Sequence, residues 1–193
     1  FFKVLRNIGL VMATIGGTIL AAPVALPVVL TTVGGYLAIR LAEAGLSKFF
    51  AVPGDYNLIL LDKLIEEPRL QMIGMCNELN GGYAADGYAR VTGFSALVVT
   101  YMVGGLSALN AVAGAYSDDL PLLLISGGPN TNDEPAHNIL HHTIGESDFY
   151  QQSKCFKPVV AKTFVLKHLQ DAPSMIDEAI SLCLSHRKPV YLE

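Results

Sequence analysis

From residue 32 onward the chain alternates between short apolar runs and amphipathic stretches. VGGYLAIRLAEAGL (33–46) places apolar residues at helical spacing and meets a glycine stop at Gly45. KFFAVPG (48–54) reads as a strand halted by Pro53-Gly54, and NLILLDKLIEE (57–67) as an amphipathic helix halted by Pro68. LQMIGM (70–75) is a second strand, and a helix begins beside Glu78. SALVVTYMV (95–103) is a continuous buried strand, followed by Gly104-Gly105 and an alanine-rich helix to about Ser117. LPLLLISGG (120–128) is another. A long polar loop, PNTNDEPAHNILHHTIGESDF, leads to a strand over VVAKTFVL (159–166), a helix over DAPSMIDEAISLCLSH and a last strand, PVYLE (189–193).

Strands that are apolar on both faces and alternate with helices predict one fold class. It is an α/β three-layer sandwich with a mostly parallel central sheet of about six strands and helices on both faces. The first residues break this pattern. After Lys3 and Arg6 no charge appears until Arg40, and Ile8 to Val33 is almost wholly apolar or small. Residues 1–31 are therefore set apart as an apolar extension, with residues 32–193 as the folded domain. An apolar run of roughly 20 residues is long enough to span a membrane. Gly16, Gly17, Pro23 and Pro27 interrupt any continuous helix there. The alternatives are a membrane or targeting segment through residues 8–33 and a packed or spurious extension.

Composition narrows the function classes. At 193 residues with 51% hydrophobic content, the chain can bury a sizeable core. Its net charge of −4 and lack of a basic run argue against a nucleic-acid surface. The cysteines Cys76, Cys155 and Cys183 are widely spaced, with neither metal spacing nor a disulfide framework, which favours a reducing, cytoplasmic setting.

Candidate chemistry gathers around CNELNGGYAADGYARVTG (76–93). Gly81, Gly82 and Gly87 each cost a helix roughly 1 kcal/mol relative to alanine, so another backbone or a ligand is expected to approach closely. Three loops follow strand ends and converge on one rim: Pro53-Gly54-Asp55, the Asn77-Glu78 turn, and the loop from Gly127-Gly128 to His141-His142. Carboxylates and imidazoles gathered on one rim suit proton transfer. Each feature alone has a plainer reading. Gly54-Asp55 is a turn with an N-cap, Asp86 and Arg90 are a helix-surface pair, and Gly104-Gly105 is an ordinary turn without a phosphate-binding pattern. Ligation of a metal by His137, His141 and His142 lacks a supporting cysteine, so no metal site is assigned.

In combination the motifs are specific. AVPGDYNL, CNELNGGYAADGYAR, VVTYMVGGLSALNAVAGAYSDDLP, GGPNTND, ILHHTIG and KPVYLE occur in this order. From about Thr32 to Glu193 the chain resembles the N-terminal, pyrimidine-binding domain of pyruvate decarboxylase and related thiamine-diphosphate-dependent 2-oxo-acid decarboxylases. The resemblance implies the thiamine-diphosphate-binding fold and release of carbon dioxide and an aldehyde from a pyruvate-like 2-oxo acid. It implies that Glu78 hydrogen-bonds the N1′ atom of the cofactor's aminopyrimidine. It assigns Asp55, His141 and His142 to proton relay, and places Pro53, Gly54 and Thr100 beside the cofactor's ring.

Members of the family continue into a middle domain and a C-terminal domain that binds diphosphate and Mg²⁺ through a Gly-Asp-Gly…Asn motif, which this sequence lacks. Their cofactor lies between the pyrimidine domain of one subunit and the diphosphate domain of another. The resemblance therefore implies a homo-oligomer, dimer or tetramer, and a chain that holds half a site and does not turn over alone. The competing readings are a related lyase or carboligase, such as an indolepyruvate or branched-chain oxo-acid decarboxylase, and a non-catalytic, membrane-tethered module that kept the fold.

Overall fold

The computed structural model describes the backbone of residues 25–193 and the side chains of residues 33–193. The described residues begin with helix α1 (Ala25–Glu43), then strand β1 (Lys48–Ala51), helix α2 (Leu58–Ile65) and strand β2 (Gln71–Gly74). Helix α3 (Glu78–Thr92) leads into strand β3 (Ser95–Val99), the short helix α4 (Val103–Ser107) and helix α5 (Leu109–Ser117). Strand β4 (Leu122–Ser126), helix α6 (Gln151–Phe156), strand β5 (Thr163–Phe164), helix α7 (Ala172–His186) and strand β6 (Val190–Leu192) complete it.

The six strands form one sheet in the order β2-β1-β3-β4-β6-β5, with every pair parallel. Side chains alternate between its faces with the two-residue period of a strand. Ala96, Val98, Leu123 and Ile125 pack under α1, α2 and α7, against Leu41, Leu64, Ile176 and Ile180. Leu97, Val99, Leu122 and Leu124 pack under α3, α5 and α6, against Ala85, Val112 and Phe156. That two-sided burial is why the central strands carry no polar alternation, and it gives the expected three-layer α/β sandwich.

The glycines of α3 divide into two kinds. A methyl group on Gly81 would lie 2.9 Å from Leu97 Cδ1, and one on Gly82 would lie 2.6 Å from Ala111 Cβ. These two let α3 settle onto β3 and α5, as the close-approach reading expects. Gly87 meets nothing within 4 Å among the described residues, so no described neighbour accounts for it. Asp86 and Arg90 form the expected helix pair, Arg90 Nε donating to Asp86 Oδ1 at 2.7 Å.

Four elements differ from the sequence reading. Helix α1 starts at Ala25, eight residues early; Pro27 falls in its first turn, where the missing N–H has no intrahelical acceptor to lose. Strand β3 stops at Val99 rather than residue 103, because Met102 turns the chain with a φ of 53°. Strand β5 keeps only Thr163–Phe164 of the expected 159–166, pairing with β6 alone at the sheet edge. Helix α6 was not expected. Its signal is weak: it is short and polar, and its buried residues are Gln152, Ser153 and Phe156. Most of the apolar stretch 8–33, and of the extension 1–31, lies outside the described residues. Among the described residues no helix is long and apolar enough to cross a membrane.

Candidate functional site

Because all strands run the same way, the turns after β1, β2, β3 and β4 emerge on one edge of the sheet. The turn after β1 is shaped by Asn57, a fully buried residue that the sequence reading passed over. Its side chain accepts from the Gly54 N–H at 2.9 Å and donates to the Val52 carbonyl at 3.0 Å. Asn57, not Asp55, is the N-cap residue of α2. Asp55 is thereby left pointing outward with its side chain 78% exposed.

Thr100, at the end of β3, is the hub of the edge. A methyl on Gly54 would lie 2.7 Å from Thr100 Cβ, so the Pro53-Gly54 turn rests directly on that side chain. On its other side Thr100 meets Gly104. A methyl there would lie 2.6 Å from Thr100 Cγ2 and 2.8 Å from Glu78 Oε1. Gly104 thus keeps open the space beneath the Glu78 carboxylate. Glu78 is the first residue of α3, whose N-terminus is closed by Asn77 accepting from the Asn80 N–H at 2.9 Å. Among the described residues, no side chain or backbone group is bonded to the Glu78 carboxylate. Thr100 Oγ1 is buried and has no hydrogen-bond partner among the described residues.

The histidine loop joins from the other side. Gly127 allows it: a methyl there would collide with the Tyr56 backbone carbonyl. His141 Nε2 faces Asp55 Oδ2 at 3.4 Å, with the His141 side chain 55% exposed. The rings of His141 and His142 meet edge to face at 4.7 Å. His142 adopts a φ of 67°, and its Nδ1 is buried without a partner among the described residues. Left-handed backbone at a residue with a side chain costs of order 1 kcal/mol, and it concentrates at functional sites. His137 does not join them; its Nδ1 lies 3.4 Å from Ser147 Oγ. Among the described residues no group of three or more His, Cys, Asp or Glu stands together to hold a metal.

The structure thus gathers Pro53, Gly54, Thr100 and Glu78 into one cluster and Asp55, His141 and His142 into a second, joined through the Gly54-Asp55 peptide. A family profile described as the thiamine pyrophosphate enzyme, N-terminal TPP binding domain, matches residues 31–152. The chain belongs to this family. Similar proteins include pyruvate decarboxylase 3 of Oryza sativa subsp. indica, 57% identical over 83% of this chain, and pyruvate decarboxylase 2 of Nicotiana tabacum, 59% identical over the same share. Pyruvate decarboxylase 1 of Arabidopsis thaliana is 53% identical over 93% of the chain. The chain spans 27%, 26% and 30% of the lengths of these three relatives.

A TPP binding domain of this family needs polar atoms left free for the cofactor and room beside them. The residues present fit that need: an orphaned Thr100 hydroxyl, an unbonded Glu78 carboxylate, and a glycine cradle at Gly104 that any side chain would fill. A second polar group borders the cradle. Gln152, fully buried against Gly105, donates to Ser126 Oγ at 2.7 Å and to the Tyr191 hydroxyl at 2.6 Å. Tyr191 in turn donates to Glu193 Oε2. Burial raises the Glu193 carboxyl to about 7, against the opposing effects of Tyr191 and Lys167.

Proposed function

We propose that this chain is the cofactor-activating half of a thiamine-diphosphate-dependent 2-oxo-acid decarboxylase acting on pyruvate. The observation that carries the reading is Glu78 Oε1 over the Gly104 cradle beside an unpartnered Thr100 hydroxyl. When bound, thiamine diphosphate supplies a nucleophilic thiazolium carbon and an electron sink for loss of carbon dioxide. Glu78 would hold a proton between its carboxylate and a ring nitrogen of the aminopyrimidine. The low-dielectric surroundings of the Gly54–Thr100–Gly104 seam strengthen that hydrogen bond. Thr100 would offer its hydroxyl to the same ring, while Pro53 and Gly54 form its wall. Asp55 and His141, at the open end, would pass a proton between bulk water and the reacting centre, with His142 against them.

Diphosphate and Mg²⁺ would be held by residues outside this chain, contributed by another subunit of a homo-oligomer. The outer surface of α3 and the start of α4 suit such an assembly: Tyr83, Val91 and Val103 are exposed, Val91 at 86%. The decisive experiment joins this chain to the diphosphate-binding domains of a decarboxylase and measures carbon dioxide release from pyruvate. Glu78→Gln is expected to lower kcat at least about 100-fold. Activity within twofold of the unsubstituted enzyme would remove Glu78 from the chemistry.

A further inference from the structure

Tyr56 follows Asp55 and has no role in the proton relay as described, yet it touches every part of it. Its ring stacks on His141 with centroids 4.9 Å apart and planes 25° apart, and lies 6.0 Å from the His142 ring. The ring also lies near that of Tyr101, tilted against it with centroids 5.4 Å apart. Tyr101 is fully buried and donates its own hydroxyl to the Phe149 carbonyl at 2.8 Å. The Tyr56 hydroxyl donates to the main-chain carbonyl of His141 at 3.0 Å and stands 3.5 Å from His141 Nδ1.

That carbonyl belongs to the peptide plane joining the two histidines. Turning the plane changes the φ of His142, which is held at 67°. A non-glycine residue does not keep a left-handed backbone unless its surroundings fix it. We infer that Tyr56 is a positioning residue for the histidine pair, its hydroxyl pinning the His141–His142 peptide plane and its ring setting His141 against Asp55. Packing alone would need only the ring. The hydroxyl is bonded to the one peptide whose orientation decides where both imidazoles stand. The proposal rests on the relay reading of Asp55, His141 and His142 for its meaning in catalysis, but not for its geometry.

The test separates the two. In this chain, NMR coupling constants of His142 report its φ directly. In Tyr56→Phe, which keeps the stacking ring, they are expected to move from a single left-handed value to an average, with the strand amide signals in place. An unchanged His142 coupling overturns the inference. Should the Phe variant fail to fold, 3,5-difluorotyrosine at position 56 keeps the native shape and ionises at lower pH. An ionised oxygen cannot donate, so the His142 coupling should change with the midpoint of the fluorotyrosine. A flat response overturns the inference equally. In the assembled decarboxylase, Tyr56→Phe is expected to lower kcat about 10-fold with KM nearly constant, since misplaced relay groups slow a chemical step without weakening substrate binding. A change in KM alone would contradict a positioning role. If the unsubstituted assembly releases no carbon dioxide, the decarboxylase reading fails while the NMR result still decides the role of Tyr56.

Discussion

Thr100 and Gly104 divide the work at the candidate site: one leaves a hydroxyl unpaired, the other leaves a space unfilled. Gly104→Ala would press a methyl onto Thr100 Cγ2 and Glu78 Oε1. Denaturant unfolding should register a loss of about 1–3 kcal/mol, the usual cost of overpacking, although alanine is the better helix former. A stability equal to or above that of the unsubstituted chain would show that the cradle yields. Glu193 makes a pH prediction. Its carboxyl is neutral in folded and unfolded chains below about pH 4.5. Between there and about pH 7 the unfolded chain ionises while burial keeps the folded one protonated, so stability falls as pH rises and levels off above. The full effect is at most about 3 kcal/mol. Glu193→Gln should flatten that slope in thermal melts between pH 4.5 and 8. Glu78, Asp55 and the paired histidines were legible as residue types after strand ends. Asn57 and Tyr56 were not singled out, and Gly104 was read with Gly105 as an ordinary turn, because their importance lies in which atoms they approach, and sequence spacing does not report that.

Helix α3 shows what an element's pattern can and cannot say. Its glycines signalled close approach, and two of the three have it. Gly82→Ala would force Cβ atoms together at the α3–α5 contact and should destabilise the chain by about 1–3 kcal/mol. Gly87→Ala meets nothing within reach and should stabilise it by about 0.5–1 kcal/mol through helix propensity alone. Opposite signs in paired thermal melts would bear out the packing account; matching signs would refute it. The strands are legible in place and chain order, the central ones because burial on both faces leaves an unbroken apolar run. Their ends were read too long at β3 and β5. A run of apolar residues continues through a turn such as Tyr101–Met102 as readily as through a strand, and only the backbone torsion at Met102 marks the stop.

On the scale of the whole molecule, the chain forms the N-terminal TPP binding domain of its family and carries one side of the proposed site. Calorimetry on the 193-residue chain should detect weak or no thiamine diphosphate binding. Tight, Mg²⁺-dependent binding would contradict the half-site. Cysteine usage favours a reducing, cytoplasmic setting, with a membrane anchor through residues 8–33 as the alternative expectation. Membrane fractionation with and without residues 1–31 tests this: recovery of the full chain with membranes, reversed by the deletion, would favour the anchor instead.

Alternating apolar runs and helical stripes determined the layer architecture, since burial on both faces leaves no other arrangement for such strands. Motif order determined the family, and residue chemistry named the acids and bases. Tertiary structure alone decided that Thr100 lies between Gly54 and Gly104, that Glu78 stands over the cradle, and that one tyrosine hydroxyl holds the peptide between two histidines. Apart from Thr100 and Gly104, which are neighbours in the chain, these contacts join positions about 26 to 85 apart, set by strand order and helix packing, and hydrophobic periodicity does not report which side chains will meet.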